Sequence, residues 1–352
     1  MTVQKKRNVT IKHVAAEAGV SLQTVSRVIN NGPNVTEGVR DRVNAAIARL
    51  GYVPNLAARR LGGSRSYLIL SLNDRNPTLE GWEARRGNDW VDQMLLGGMT
   101  KCAEHGYHLL FELVDAHADD MERQIQSALS SLHPDGVILT PPHSENPAIH
   151  DLLARNGVTF ACIGWKGECE GFTVYMDDRK AAYAAARHLL ELGHRRIAFV
   201  KGHPEYSGSE ERLGGFCDAM AERGVAIDDT LVQPGDFTYE AGTGAMNALA
   251  DLRDPPTAVI ASSDQMALGV LHVAAKRGFH VPRDLSLVSF DDTPTVNLAV
   301  PPLTAIRQPI AAMTATAAEL LIESKSGIPR LPARNELPFE LIVRESTAPC
   351  RA

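Results

Sequence analysis

The sequence predicts an α/β protein that combines a small all-α head with a larger body of alternating strands and helices. Amphipathic helical periods with glycine ends fill the first fifty residues, and from Ser66 onward short apolar runs alternate with longer amphipathic stretches. Residues 1–65 hold 11 of the 36 Lys and Arg but three of the 42 Asp and Glu. The head therefore carries a charge of about +8 and the remainder about −14, within a net charge of −6. A basic head on an acidic body is typical of a nucleic-acid-binding module joined to a second domain.

The first two helices of the head surround a tight corner. Thr10 is suited to cap the first helix, which has a small apolar face that includes Val14 and Ala18. Gly19 ends this helix because glycine adopts the left-handed conformation of a helix C-terminus without strain. Ser21 is suited to cap a second helix, whose inner side carries Val25, Val28 and Ile29.

The outer side of the second helix is predominantly polar and includes Gln23 and Arg27 near its start. Gln can pair with adenine and Arg with guanine in the DNA major groove, so this face is a candidate for base recognition. The alternative is a helical hairpin whose polar face is simply solvated.

A third helix over residues 36–50 and a short segment after it complete the N-terminal region. The apolar positions of this third helix follow the helical period, and Gly51 ends the helix. Pro54 begins a further turn or two of helix, which stops at Gly62 and Gly63. So short a helix is unstable alone and orders only against a partner, which makes it a hinge.

The body repeats strand and helix in a pattern that predicts parallel sheets covered by helices on both faces. The predicted strands are residues 67–72, 108–114, 136–140, 159–163, 196–200, 258–261 and 285–290, and a final strand is predicted at 337–343. The predicted helices are 93–105, 121–132, 181–192, 212–223, 239–249 and 266–277. The strands are too numerous for one sheet, so two subdomains are expected, and residues 74–89 are predicted to form a long loop.

Several classes of protein lack support in the sequence. The basic N-terminus has no apolar run of the signal-peptide kind, and no segment approaches eighteen continuous apolar residues, so a cytoplasmic protein is expected. The five cysteines are scattered without zinc spacing and predict free thiols. There is no phosphate-binding loop, nucleophile elbow or metalloprotease motif, so neither an enzyme nor a metal or cofactor is predicted. A hydrolase that uses the adjacent carboxylates Asp291 and Asp292 remains an alternative.

The motifs of the whole chain resemble those of the LacI/GalR family of regulators. The resemblance rests on VTIKHVAAEAGVSLQTVSRVIN and VTEGVRDRVNAAIARLGYVPNLAARRL in the head, followed by LGHRRIAFVKG, ERLGGF, SDQMALGVL, SLVSFDDT and PPLTAIRQP. It implies a helix-turn-helix domain at 1–54, a hinge helix and linker at 55–65, and an effector-binding and dimerisation domain at 66–352. The body then resembles a periplasmic binding protein with two doubly wound lobes, roughly 66–175 with 308–337 and 176–307 with 338–347.

The resemblance also implies how the head and hinge bind a pseudo-palindromic double-stranded operator. Two heads of a homodimer occupy successive half-sites, while Leu61 is placed to open a base step in the central minor groove. The capping hydroxyls hold phosphates and set the register. The candidate DNA-binding residues are Thr10, Ser21, Leu22, Gln23, Thr24, Ser26, Arg27, Asn30, Thr36, Asn55, Ala58 and Leu61.

Polar and aromatic residues follow the predicted strands, where open α/β sheets bind ligands. Carboxylates and Arg suit sugar hydroxyls, and aromatic rings suit the apolar face of a sugar. The resemblance gives the candidate effector residues as Asp74, Trp165, Arg212, Phe237, Ser263, Asp291 and Gln308. Ser263 stands where relatives often carry Asn, so a preference for lactose-like ligands is not implied.

Three of these side chains, and two of their neighbours, also have a structural alternative. Arg212 could pair with Glu210 or Glu211 on the surface, and Phe237 and Trp165 could be core residues. The neighbouring Asp264 could cap a helix, and Asp292 could serve the turn before Pro294. Because Arg212 and Asp291 lie outside the head and hinge, we expect their truncation to abolish the ligand response and leave folding intact.

The resulting expectation is a transcription regulator, most simply a repressor of carbohydrate-utilisation genes that a mono- or disaccharide releases from its operator. A regulator of the same fold with a purine or other corepressor, and a sugar-binding protein without gene control such as a transport receptor, remain alternatives. The chain has no heptad-patterned tail, so a dimer is expected rather than a tetramer built through a C-terminal bundle.

Overall fold

The computed structural model describes residues 9–29, 32–52, 65–326 and 333–351. Their contacts divide into two units, one ending at Tyr67 and one beginning at Leu68, and each is described by itself. The candidate residues Asn30, Asn55, Ala58 and Leu61, and with them the predicted hinge helix, lie outside the described residues.

The head contains three helices around a small apolar core, namely α1 (Ile11–Ala18), α2 (Leu22–Ile29) and α3 (Glu37–Leu50). Gly19 and Gly51 end α1 and α3 with φ of +63° and +59°, so both predicted helix ends are confirmed. The Ser21 hydroxyl accepts a hydrogen bond from the Thr24 amide at 3.1 Å and thereby caps α2. The buried core consists of Val14, Ala15, Ala18, Val25, Val28, Val43, Ala46 and Tyr52.

The body is built on two six-stranded sheets, and we name the part around each sheet a lobe. The strand order of the first lobe is β11-β5-β4-β3-β1-β2, and that of the second lobe is β12-β10-β9-β8-β6-β7. Every pairing is parallel except that of β10 with β12. The first sheet comprises β1 (Leu68–Asp74), β2 (His108–Val114), β3 (Gly136–Leu139), β4 (Phe160–Ile163), β5 (Phe172–Tyr175) and β11 (Arg334–Glu336). The second comprises β6 (Ile197–Val200), β7 (Val232–Gln233), β8 (Ala258–Ala261), β9 (Ser286–Asp291), β10 (Thr304–Arg307) and β12 (Glu340–Ile342).

Helices cover both sheets, and their inward faces complete the core of each lobe. The helices are α4 (Arg75–Glu83), α5 (Asp89–Glu104), α6 (Met121–Leu132), α7 (Pro147–Arg155), α8 (Asp178–Glu191), α9 (Ser207–Glu222), α10 (Tyr239–Ala250), α11 (Asp264–Lys276), α12 (Pro294–Asn297) and α13 (Ile310–Ser326). In the first lobe, α5 and α13 pack so closely that a Cβ atom placed on Gly97 would lie 1.9 Å from the Ala311 carbonyl oxygen. Among the described residues, no helix has the length and apolar character needed to cross a membrane.

The prediction of a long loop over residues 74–89 is wrong. Residues Arg75–Glu83 form α4, which follows β1 directly, and α5 begins at Asp89. The sequence of α4 includes Pro77 and Gly81, both poor helix formers, so local propensity gives no signal there. Packing supplies the missing support: Thr78 is buried, and its hydroxyl donates to the Asp74 carbonyl oxygen at 2.6 Å.

Candidate functional site

A cavity of about 470 Å³ lies between the two lobes. Asn73 and Asp74 at the end of β1, Ser263 after β8 and Asp291 at the end of β9 all line it. Because the strands are parallel, their carboxyl ends bring these side chains together from distant parts of the chain. The volume falls within the range of sites that enclose small organic ligands.

Arg212 is a deeply buried cation at this cavity, with 2% of its side chain exposed. Its Nε donates to Asp178 Oδ1 at 2.7 Å, and its Nη1 donates to the Ser262 carbonyl oxygen at 2.7 Å. Its guanidinium lies 4.4 Å from the centre of the Phe290 ring. The alternative of a surface ion pair with Glu210 or Glu211 is therefore excluded by the structure. Within the described part of the chain, Nη2 makes no hydrogen bond, which leaves one charge-bearing donor for a ligand.

Asp291 faces the same cavity from a backbone conformation with φ of +104°. Its Oδ1 accepts from Gln308 Nε2 at 2.7 Å, and its Oδ2 accepts from the Asp264 amide at 3.3 Å. Burial raises the pKa of Asp291 to about 7, while the Arg212 charge opposes this rise. A carboxyl group with both oxygens oriented by amide donors is well placed to accept a ligand hydroxyl.

Ser263, rather than the suggested Asp264, caps α11. The Ser263 hydroxyl caps α11 by accepting from the Met266 amide at 3.1 Å, and it donates to the Phe237 carbonyl oxygen at 3.0 Å. Asp264 is not the cap; its Oδ2 accepts from the amide and the hydroxyl of Thr293 at 2.7 and 2.8 Å. Burial, followed by the neighbouring Asp291, raises the pKa of Asp264 well above its usual value.

The aromatic surface of the cavity differs from the predicted one. Phe237 lines it and packs edge-on against Tyr206, with ring centres 5.7 Å apart. Trp165, in contrast, does not line the cavity and packs 5.2 Å from the His150 ring against the apolar core of the first lobe. The placement of Trp165 in the effector site is thus corrected in favour of its alternative as a core residue. Trp90, in the first turn of α5, lines the cavity instead.

Asp74 offers an unused acceptor to a ligand. Its Oδ1 is buried and has no hydrogen-bond partner in the described residues, and burial raises the pKa of this carboxyl group. An unpaired buried oxygen is costly, so a ligand donor at this position would be favourable. The adjacent Asn73 is already oriented, since its Oδ1 accepts from the Thr140 hydroxyl at 3.0 Å.

Asp292 does not line the cavity, although it is adjacent to Asp291. Its side chain is buried and forms ion pairs with Arg307 at 2.8 Å and Arg344 at 2.6 Å. The two neighbouring carboxylates therefore face different surroundings, and the geometry gives no support to a hydrolase that uses both. The described residues also contain no cluster of His, Cys, Asp and Glu suited to a metal ion.

Of the seven predicted effector residues, the cavity brings together the six other than Trp165. Lining residues that sequence reasoning missed include Arg86, Asp89, Trp90, His203, Tyr206 and Tyr239. Several of them belong to residues 75–90, where the sequence analysis missed α4 and the first turn of α5. Tyr206 precedes α9 without a motif that would single it out, and its ring contacts with Phe237 and Arg212 place it at the site.

The head presents its own candidate site on α2. Leu22 has 44% of its surface exposed, and Gln23 and Arg27 are also exposed, one helical turn apart. Thr10 and Thr36 stand at the starts of α1 and α3 and are exposed, whereas Thr24 and Ser26 are partly exposed. The polar face predicted for base recognition therefore exists as a continuous helical surface.

The fold and the two sites define a ligand-responsive transcription regulator of the helix-turn-helix type. The model of "Bacterial regulatory proteins, lacI family" matches residues 10–55, and that of the "Periplasmic binding protein-like domain" matches residues 186–347. The chain belongs to the lacI family of bacterial regulatory proteins.

Its relatives resemble it along almost the whole chain. The HTH-type transcriptional regulator CelR of Thermobifida fusca is 35% identical over 98% of this chain and 100% of that protein. Among solved structures, the transcriptional regulator CelR–cellobiose complex matches with a TM-score of 0.72 and 32% identity, over 96% of this chain and 99% of that one. The lac repressor dimer bound to operator and the anti-inducer ONPF matches with a TM-score of 0.78 and 25% identity, over 97% of this chain and 100% of that one.

Proposed function

We propose that this protein is a homodimeric repressor of carbohydrate-utilisation genes that a mono- or disaccharide releases from a pseudo-palindromic operator. The observation that carries the proposal is the cavity between the lobes, where polar groups with unused bonding capacity meet aromatic rings. Arg212 and Asp74 offer a donor and an acceptor, and Trp90, Tyr206 and Phe237 offer ring faces or edges. Sugars present hydroxyl groups, which match the polar groups of the cavity, and an apolar ring face, which matches its aromatic rings. A similar regulator, CelR, has been solved as a cellobiose complex.

The charges at the cavity favour an uncharged ligand. Asp74, Asp89, Asp264 and Asp291 line it, whereas the buried cation Arg212 is already paired with Asp178. A phosphate or carboxylate group on the ligand would lose its hydration in this poorly solvated space and would be repelled by each of these carboxyl groups that is ionised. The proposed effector is therefore a neutral saccharide that binds without chemical change, and the protein is not an enzyme.

The DNA-binding part of the proposal rests on the exposed face of α2. Leu22, Gln23 and Arg27 reach base edges in the major groove, while Thr10, Ser21, Thr24 and Thr36 hold phosphates. Asn55, Ala58 and Leu61 are proposed to enter the central minor groove as a paired hinge. Ligand binding changes the relation of the lobes and thus the spacing of the two hinges.

The homodimer is supported by apolar side chains that the body exposes. Leu96 and Met99 on α5 are 57% and 56% exposed, and Leu298 and Val300 are 79% and 89% exposed. Exposed apolar groups of this size are typical of interfaces. A regulator that binds chromosomal DNA acts in the cytoplasm, which is the location we propose.

The test begins with selection of operator sites from random DNA by the full-length protein. We expect a pseudo-palindrome, and we expect Arg27→Ala to weaken binding to it by about 1–3 kcal/mol and to relax one base pair in each half-site. Arg42→Ala removes the same charge from an exposed position on α3 and serves as the matched control. Equal losses for the two variants on cognate and random DNA would refute base recognition by Arg27.

The ligand is then sought by calorimetry with neutral mono- and disaccharides, and each binder is added to the operator complex. Release of the operator supports the proposal. Tighter operator binding in the presence of the ligand would identify a corepressor instead. Sugar binding without selection of any DNA site would favour a binding protein that has no role in gene control.

A further inference from the structure

Residues 75–88 stand outside the strand–helix alternation of the first lobe, because β1 is followed by two helices before β2. We name these residues, which comprise α4 and the loop after it, the cap segment. Eight residues of the cap segment line the cavity. Its lining residues are Asn76, Pro77, Thr78, Glu80, Gly81, Arg86, Gly87 and Asn88.

We propose that the cap segment determines the length of the saccharide that the site accepts, by closing the cavity over a disaccharide and excluding longer chains. This inference rests on the proposed function and names a specificity determinant of the same site.

The cap segment is attached to the first lobe as a unit. Asn76 Nδ2 donates to Asp115 Oδ2 at 3.2 Å, and the Trp82 ring packs 6.1 Å from that of Phe111 on β2. The loop folds back tightly on α4, since a Cβ atom on Gly81 would lie 2.7 Å from the Gly87 carbonyl oxygen. These contacts fix the cap segment relative to the sheet that carries Asp74.

Two side chains latch this region to the second lobe. Arg86 Nη1 forms an ion pair with Glu240 Oε1 at 2.8 Å, and its guanidinium lies 5.8 Å from the centre of the Tyr239 ring. Asp89, the residue directly after the cap segment, accepts from the Thr295 hydroxyl. Its Oδ2 also lies 3.2 Å from the Thr293 hydroxyl, which shares its single proton with the closer Asp264 Oδ2. Both latches cross from the first lobe to the second beside the cavity.

The ion pair of Arg86 with Glu240 is only weakly held. The Arg86 and Glu240 side chains are 37% and 61% exposed, so solvent screens their ion pair and it contributes little stability. Because each latch consists of side chains alone, the cap segment can separate from the second lobe while its backbone stays folded. A ligand that protrudes past Arg86 and Asp89 would prevent both latches from forming, whereas an enclosed ligand lets them close. A ligand short enough to be enclosed therefore binds more tightly than a longer one.

The test compares matched disaccharides and tetrasaccharides on the full-length protein by calorimetry, namely cellobiose with cellotetraose, maltose with maltotetraose, and xylobiose with xylotetraose. We expect the wild type to bind at least one disaccharide and to bind its tetrasaccharide at least a hundredfold more weakly. In Arg86→Ala/Asp89→Ala we expect this discrimination to fall at least tenfold and the disaccharide to dissociate faster. The matched control Arg75→Ala/Glu83→Ala removes one cation and one anion from α4 at positions that do not line the cavity.

The outcomes separate this inference from the proposed function. Binding of no saccharide by the wild type would overturn both. Equal affinity of the wild type for a disaccharide and its tetrasaccharide would overturn the length limit and leave the proposed function standing. Unchanged discrimination in the latch variant, or an equal change in the control, would overturn the role of the cap segment alone. Circular dichroism and the melting temperature of each variant verify that it is folded.

Discussion

The buried pair of Arg212 and Asp178 makes a strong prediction about stability. Arg212→Met keeps much of the apolar volume over Phe290 but leaves the Asp178 carboxylate buried without its partner. Only 4% of the Asp178 side chain is exposed, so solvent cannot replace the lost interaction. Removing one partner of a buried ion pair costs about 3–5 kcal/mol. The expectation that truncation of Arg212 leaves folding intact is therefore replaced by a loss of stability together with a loss of ligand response.

A second variant distinguishes a lost ion pair from lost packing. Arg212→Met/Asp178→Asn removes both charges, so no uncompensated charge stays buried, and we expect it to recover more than half of the loss. Burial already raises the pKa of Asp178, with Arg212 opposing, so the single variant should also favour the protonated carboxyl group. Neither variant should respond to the ligand, because both lack the guanidinium.

The assay is urea unfolding of the full-length protein followed by tryptophan fluorescence. All three tryptophans, Trp82, Trp90 and Trp165, lie in the body, so the signal reports the body without a contribution from the head. The free energy of unfolding is compared at equal pH and protein concentration. A loss below about 1 kcal/mol for Arg212→Met, or a double variant no more stable than the single one, would refute the argument.

Two further predictions concern pH and close packing. Because burial raises the pKa of Asp291 to about 7, the folded chain holds this proton more tightly than the unfolded chain does, and stability falls as the pH rises from about 4 to 7. Asp291→Asn should flatten that part of the profile in urea unfolding at pH 5 to 8, and an unaltered slope would contradict it. Gly97→Ala should destabilise the first lobe by about 1–3 kcal/mol, since its Cβ would meet the Ala311 carbonyl oxygen. Gly244→Ala, inside α10 with nothing within 4 Å of the new Cβ, should instead stabilise by about 0.5–1 kcal/mol, and equal thermal shifts would disprove the packing argument.

The sequence by itself determined the features that depend on local pattern. Helical periods and glycine ends predicted the three helices of the head, and the alternation of apolar runs predicted the two parallel sheets. The resemblance of ordered motifs placed Arg212, Phe237, Ser263, Asp291 and Gln308 at one site, and the cavity brings all five together. The predictions of helices and sheets succeed because each depends on neighbouring residues. The five site positions come from the resemblance, which carries over a tertiary arrangement that a local pattern does not specify.

Only the tertiary structure decided which side chains meet across the sheets. Arg212 pairs with Asp178, 34 positions away, rather than with the adjacent Glu210 or Glu211. Trp165 enters the core while Trp90 lines the cavity, and α4 forms where local propensity is poor. The physical reason is that a side chain's burial and partners depend on the packing of whole helices and sheets, whereas a local pattern specifies only which face of an element is turned inward.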